Sequence, residues 1–266
     1  MKFEVVILVE NHRQGEDWQY AEILNRVRTG EQTEDDLKIL ETRVISEDSP
    51  DLPKDALHIN CLNAGVNDIN ETRLGLLGEK LFTVKAYFVG RTIDSSKHTP
   101  RVGRDGCIIN TTLQYILKLK IGAKVMLTTN VDVMDCLANG ALGEVVGFRF
   151  TKTGEVKTVM VQFTDEKVGK EKRKSYAYLQ EKYPSKSVTP IDKIELPYSL
   201  SKKSNLTNAS ATVYQFPLKL SFSATSHKVQ VQYKNVKCHL TIAGNQKMSK
   251  SHIYKLKRSL FSGSNS

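Results

Sequence analysis

In the first third of the chain, short apolar runs alternate with stretches of helical spacing. Residues 3–9 are apolar apart from Glu4 and read as a buried strand, followed by a polar loop over 11–17. A helix is predicted next, with Asp17 as its N-cap and Trp18, Ala21, Leu24 and Val27 on one face. Gly30 suits the left-handed cap that ends it. Thr33 precedes a second short helix, whose acids Glu34, Asp35 and Asp36 favour the positive end of the helix dipole. Its apolar stripe is Leu37, Leu40 and Val44. Beyond a loop containing Pro50 and Pro53, residues 56–60 read as a strand, 66–77 as a helix and 81–88 as a strand. Strands alternating with helices predict a parallel α/β sheet.

The pattern changes after residue 112. Leu117, Leu119 and Ile121 alternate with Lys118 and Lys120, Gly122 interrupts the run, and Val125, Met126 and Leu127 resume it. Asn139-Gly140 is a hairpin signal, residues 144–150 and 156–163 read as strands, and Thr153-Gly154 is the turn between them. Short strands joined by glycine turns predict a small antiparallel barrel. Residues 164–212 are rich in Lys and Ser and predict long loops or a disordered insertion. Residues 216–222 read as a buried strand, and 241–266 as a frayed, disordered tail.

The 266 residues are 39% hydrophobic, enough for one sizeable core or two smaller ones. No run approaches the roughly 18 apolar residues that cross a bilayer, so no membrane partner is expected. Residues 1–10 lack the features of a signal peptide. Cys61, Cys107, Cys136 and Cys238 stand singly, which suggests no zinc or redox motif and fits a reducing compartment. The N-x-S/T triplets at Asn70, Asn110, Asn205 and Asn208 read as chance. The net charge of +10 is unevenly spread. Residues 1–116 carry 14 Lys and Arg against 19 Asp and Glu, a net −5, and residues 117–266 carry 25 against 10, a net +15. A basic half points to a polyanion such as nucleic acid; equally, 22 of those 25 cations are lysines, the usual solubilising residue.

Four segments, in order, resemble helicases of the petite-integration-frequency (PIF) type, including the copies carried by Helitron transposons. They are residues 11–17 running into Leu24-Asn25-Arg26-Val27-Arg28-Thr29-Gly30; Val66-Asn67-Asp68-Ile69-Asn70; residues 117–127 with Asn130-Val131-Asp132 and 137–145; and residues 216–230, ending Thr225-Ser226-His227-Lys228-Val229-Gln230. The resemblance covers residues 1 to about 232 and implies the C-terminal part of an ATP-dependent 5′-to-3′ DNA helicase, truncated at both ends. It implies a second RecA-like domain, a parallel sheet with flanking helices, over 1–112 and 213–240. Into it is inserted a Src-homology-3-like β-barrel module with a Lys/Ser-rich loop over 113–212.

By the same resemblance, Arg13 is the arginine that reaches the ATP γ-phosphate across the domain cleft, where a planar, permanent cation offsets the charge on the transferring phosphoryl group. Thr225, His227, Lys228 and Gln230 match the Thr-x-His-Lys-x-Gln motif that lies against single-stranded DNA. A hydroxyl, an imidazole and an ammonium suit contacts to phosphate and sugar. The bland alternatives are a surface arginine closing a loop and a polar helix start capped by Thr225. Where the family continues with Gly and Thr, this chain has Val231 and Tyr233, so the end of that motif is read as damaged. Asn139-Gly140 is assigned a structural role.

No G-x-x-x-x-G-K-[ST] occurs in the sequence, and neither the paired acids of a second ATP motif nor the family's closing Ala-Leu-Ser-Arg is found. ATP and Mg²⁺ are therefore expected for a complete helicase and not for this chain alone, which would need the N-terminal RecA-like ATP-binding domain as partner. Three readings follow: the second half of a working helicase, a non-catalytic remnant that binds single-stranded DNA through residues 117–240, or a decayed transposon product. For the remnant, Tyr176, Tyr178, Tyr183 and Tyr214 are candidate base-stacking rings, although most such tyrosines are loop anchors. A nuclear setting, or a mitochondrial one, is implied by the resemblance alone.

Overall fold

The computed structural model describes residues 17–42, 44, 56–90, 98–176, 178–184, 187–199, 210–225 and 238–240. The chain divides into two compact units. The described part of the smaller one is chiefly the helical segment 17–44; the larger holds the described residues from Leu57 to Thr225 together with Cys238–Leu240. The expected strand at 3–9, the loop at 11–16 with Arg13, and the expected tail at 241–266 lie outside the described residues.

In the smaller unit, α1 (Trp18–Thr29) starts where the Asp17 carboxylate accepts the Tyr20 N–H at 3.0 Å. It stops at Gly30, whose φ of 84° turns the chain so that its N–H reaches Arg26 and Val27 carbonyls. The short α2 (Glu34–Glu41) opens with a capping box in which Thr33 and Asp36 exchange side-chain and backbone bonds. Ile23 and Val27 pack with Leu37 and Leu40. Ile23 thus takes the place expected of Leu24, and Trp18 and Val44 are exposed. Asp36 is buried and receives both Nε and Nη2 of Arg26 at 2.7 Å, a two-pronged pair that ties the helices together.

The larger unit contains the expected parallel sheet, with strand order β12-β1-β13, built from β1 (Leu57–Asn60), β12 (Ser223–Thr225) and β13 (Cys238–Leu240). The helix that follows β1, α3 (Asn63–Leu76), begins three residues before its expected start. The strand expected at 81–88 is two, β2 (Phe82–Lys85) and β3 (Tyr87–Val89), broken at buried Ala86 because they join different sheets. Antiparallel partners are β4 (Ile116–Leu119) for β2, and β10 (Ser210–Gln215) for both β3 and β9 (Ile194–Ser199).

The remaining strands form a five-stranded antiparallel sheet in the order β11-β5-β6-β7-β8, comprising β5 (Lys124–Leu127), β6 (Leu142–Phe150), β7 (Val156–Phe163), β8 (Val188–Asp192) and β11 (Leu218–Leu220). The expected barrel is not closed among the described residues: β11 and β8 are the two edges of an open sheet. The register of β6 against β7 shifts at Val145/Gly147 and Arg149/Phe150, the kind of irregularity that increases local twist. One face holds the main core, including Leu119, Val125, Leu127, Val145, Val159, Phe216 and Leu218, with Leu74 of α3 packed against it.

Of the expected loop or disordered insertion over 164–212, residues 200–209 lie outside the described residues, and the described residues of 164–199 are ordered instead. They form α4 (Lys170–Lys174), α5 (Tyr178–Lys182), β8 and β9. The order comes from distant partners. The buried Asp135 carboxylate accepts the Glu171 and Lys172 N–H groups at 2.7 and 2.9 Å and caps α4 from 36 residues away. Arg173 donates to the Val168 carbonyl and the Thr189 hydroxyl. Leu179 and Val188 pack with Met160 on the second face of the sheet, and Tyr183 lies over Gly147, where a Cβ would collide with its hydroxyl. The strand expected over 216–222 is confined to Leu218–Leu220; the chain then leaves the antiparallel sheet and enters the parallel one at Ser223.

Arg26 first, and the Thr33 backbone bond second, hold the Asp36 carboxyl well below the usual carboxylate range. A lowered carboxylate pKa stabilises the folded form fully above the unfolded value of about 4, and the contribution is lost as pH falls toward the folded value. Urea unfolding of the helical segment, followed by the fluorescence of Trp18, the sole tryptophan, should show stability falling through this acid window. Asp36→Asn should be weaker at neutral pH and flat across the same window. Thr33→Ala should cost about 1 kcal/mol. An acid profile shared by wild type and Asp36→Asn would remove the pair from this role.

Candidate nucleic-acid interface

The site begins with Asn70, on the face of α3 turned to the parallel sheet. It is 6% exposed, and its amide makes two bonds to one residue of β12: Oδ1 accepts the Ser223 N–H at 2.9 Å and Nδ2 donates to the Ser223 carbonyl at 3.2 Å. The bond on the other side of β12 runs from the His58 N–H of β1 to the Phe222 carbonyl. Ser223 thus directs its own backbone pair at the helix, and Asn70 completes the pairing as a further strand would. Both ends of the Asn70 amide being engaged in the interior, its N-x-T triplet is not an accessible glycan acceptor.

Two residues further on, half-buried Thr225 ends β12 opposite Asn60 of β1. Close packing at this end depends on Gly65 of α3, since a Cβ there would run into the Asn60 amide. Thr225 opens into a cleft of about 370 Å³ bounded by α3, the loop at Asp105 and Gly106, β4 and β11. Its polar lining includes Asn67 and Glu71 from α3, Gln114, Lys118 from β4 and Lys219 from β11; Val66, Ile116 and Leu220 supply apolar wall. Lys118 Nζ reaches both Glu71 carboxylate oxygens at 3.0 Å. The loop wall is itself held in place. Gln114 donates to the Asp105 carbonyl and to Cys107 Sγ, and Asn67 donates to the Arg104 carbonyl. Burial, then nearby Asp105, pushes the Cys107 thiol up to about 11, so it is a packed thiol and not a nucleophile at neutral pH.

Of the residues the resemblance singled out, Thr225 is the one the structure describes, and it faces this cleft; Arg13, His227, Lys228 and Gln230 lie outside the described residues. Sequence reasoning missed Glu71, Lys118 and Lys219 as cleft residues and Asn70 as the clamp. The alternation of Lys118 with Leu117 and Leu119 did show it to be on the polar side of its strand. Among the candidate stacking tyrosines, Tyr176 and Tyr183 pack against the core, and Tyr178 accepts a bond from Arg149. Tyr214 stacks on Tyr87, with centroids 4.8 Å apart and planes 4° from parallel. Lys193 lies 5.1 Å from the Tyr87 ring centre. No three His, Cys, Asp or Glu side chains converge on a metal position among the described residues.

Residues 109–148, which include β4, β5 and most of β6, match the family model described as DNA helicase Pif1, 2B domain. Solved Pif1 helicases share the fold. A Bacteroides Pif1 double mutant aligns over 94% of this chain with a TM-score of 0.59 and 20% identity, and Pif1 from Candida albicans over 94% with 0.56 and 18%. A Bacteroides Pif1 bound to single-stranded DNA aligns over 96% with 0.54 and 21%. The chain is similar to the C-terminal portion of Pif1-type helicases. It spans about half the length of these structures, 48%, 53% and 50% respectively. Uncharacterized protein 030L of Invertebrate iridescent virus 6 is 28% identical over 181 residues, which is 61% of this chain and 32% of the viral protein. In this Pif1-like chain the cleft joins the two sheet systems, because α3 and β12 belong to the parallel part and β11 to the antiparallel part.

Asn70→Leu keeps the branching of the side chain at Cγ, though in a bulkier form, and leaves the Ser223 N–H and carbonyl without partners. It should destabilise the larger unit by roughly 2–6 kcal/mol, at about 1–3 kcal/mol for each of the two buried groups left unpaired. Amide exchange at Ser223 should accelerate beyond the global change. Wild-type protection at Ser223 in this variant would show that the clamp does not hold β12.

Proposed function

We propose that this chain is the DNA-engaging C-terminal portion of an ATP-dependent 5′-to-3′ DNA helicase, and that by itself it binds single-stranded DNA without turning over ATP. The observation that carries this reading is the position of Thr225 at the mouth of a cleft lined by Lys118 and Lys219, in a chain with a Pif1-like fold. A threonine hydroxyl, lysines and side-chain amides suit phosphate and sugar contacts, which grip a strand without reading its sequence. The bound strand in a Bacteroides Pif1 structure supports the same ligand class. In this reading α3 and the parallel sheet belong to the second RecA-like domain, and the open antiparallel sheet is its Src-homology-3-like insertion. His227, Lys228 and Gln230 extend the strand-binding surface, and Arg13 serves an ATP site formed with the N-terminal RecA-like domain.

ATP and Mg²⁺ belong to that partner domain, because this sequence has no phosphate-binding loop of the G-x-x-x-x-G-K-[ST] form. A second reading, a retired remnant that keeps only strand binding, is favoured by Val231 and Tyr233 at positions where the resemblance expects Gly and Thr. A nuclear or mitochondrial setting belongs to both readings.

Fluorescence anisotropy of the purified chain with labelled oligothymidylate and mixed-sequence strands should show similar affinities. The logarithm of Kd should rise linearly with the logarithm of salt concentration, as counterion release requires. Phosphate release should stay at background with or without DNA. Absence of binding at low salt would remove the DNA reading, and DNA-stimulated ATP turnover would overturn the assignment of the ATP site to another domain.

A further inference from the structure

Lys118 and Glu71 meet across the cleft that Thr225 opens into. The lysine comes from β4 and the acid from α3, and they are 47 residues apart in sequence. Both are substantially exposed, with side-chain accessibilities of 41% and 56%. An exposed ion pair contributes little to stability, so either partner can be given up at small cost. The other acid of the cleft, Asp105, accepts the Cys107 N–H at 3.1 Å and holds its own loop. Glu71 has no such loop to hold: its described partner is a lysine in the same cleft as Thr225.

The helix cannot retreat to separate them. Asn70, the residue before Glu71, is fixed to Ser223 by two hydrogen bonds, and β4 is paired to β2 through Lys118 itself, opposite Thr83. Exchange of the pair therefore requires only rotation of two long side chains, with both backbones staying in place. A strand phosphate entering the cleft meets a lysine it can attract and a carboxylate that repels it.

We propose that Lys118 is a phosphate-contacting residue and that Glu71 is its resting partner, displaced when single-stranded nucleic acid enters. The ammonium leaves the carboxylate for a strand phosphate, and the freed Glu71 turns to solvent. Glu71 thereby lowers affinity and makes the cleft selective for polyanions able to take its place, over single small anions. This inference rests on the strand-binding reading above.

The test uses the full chain, a labelled oligothymidylate and a salt series, with thermal melts to confirm that each variant folds. Glu71→Gln should tighten binding by about two- to fivefold, the scale of an exposed ion pair. Lys118→Met should weaken binding and reduce the salt slope by about 0.7, one phosphate contact on a single strand. Glu155→Gln, an exposed acid on the turn between β6 and β7, makes the same change in net charge away from the cleft and should have much the smaller effect. In the Lys118→Met background, Glu71→Gln should lose most of its gain. If Glu71→Gln matches Glu155→Gln, or Lys118→Met leaves the slope unchanged while wild type binds, the exchange is refuted. If wild type does not bind at all, the strand-binding reading fails first and takes this inference with it.

Discussion

Two hydrogen bonds from one amide set the arrangement on which the cleft depends. β12 is three residues long and is an edge strand among the described residues, paired to β1 on one side only. A strand so short has too few ladder bonds to hold itself in register. Asn70 offers a donor and an acceptor in the spacing of a neighbouring strand and closes the open side at Ser223. It does so from a helix that also packs Leu74 into the main core. The position of Thr225 is thus tied through α3 to the interior of the antiparallel sheet.

The local layers of the fold were legible from residue types. Asp17, Gly30 and Thr33 marked helix ends because capping is a property of one residue and its next three or four neighbours. The alternation of Leu117 and Leu119 with lysines, and the Asn139-Gly140 turn with Gly140 at φ 95°, marked the antiparallel strands for the same reason. What could not be read depended on partners far along the chain. Residues 164–199 looked like loop because they are poor in large apolar groups. Their order comes from Asp135, Thr189 and Gly147, whose roles exist only after folding. Whether five strands close into a barrel is decided by twist and edge pairing, and neither has a local sequence signal.

The candidate site divides in the same way. The Thr-x-His-Lys-x-Gln segment could be picked out by resemblance because it is a contiguous string. Glu71, Lys118 and Lys219 are separated by 47 and 101 positions and meet only when α3, β4 and β11 are assembled. Asn70 is harder still to find. In sequence it is the asparagine of a common triplet, and its importance lies in what it bonds to 153 residues away. Buried polar residues with backbone partners leave no periodic mark, so their function is visible only as a completed hydrogen-bond account.

The uneven charge acquires a more specific meaning from this geometry. A net +15 over residues 117–266 would draw polyanions to any exposed lysine, and such attraction selects neither place nor orientation. In the cleft the basic side chains are not simply exposed. Lys118 has an acidic neighbour, and Lys219 lies on a strand whose partner β5 anchors it in the core. In the proposed reading, attraction by the whole basic half would bring a strand close, and exchange at one ion pair would then favour the strand that reaches the end of β12. On that reading long-range charge and short-range pairing would act in sequence, the first setting the encounter and the second setting where the strand comes to rest. On the proposed strand-binding reading, an acid in the cleft is no obstacle, because a site that exchanges a polyanion gains from a partner that competes for its lysine.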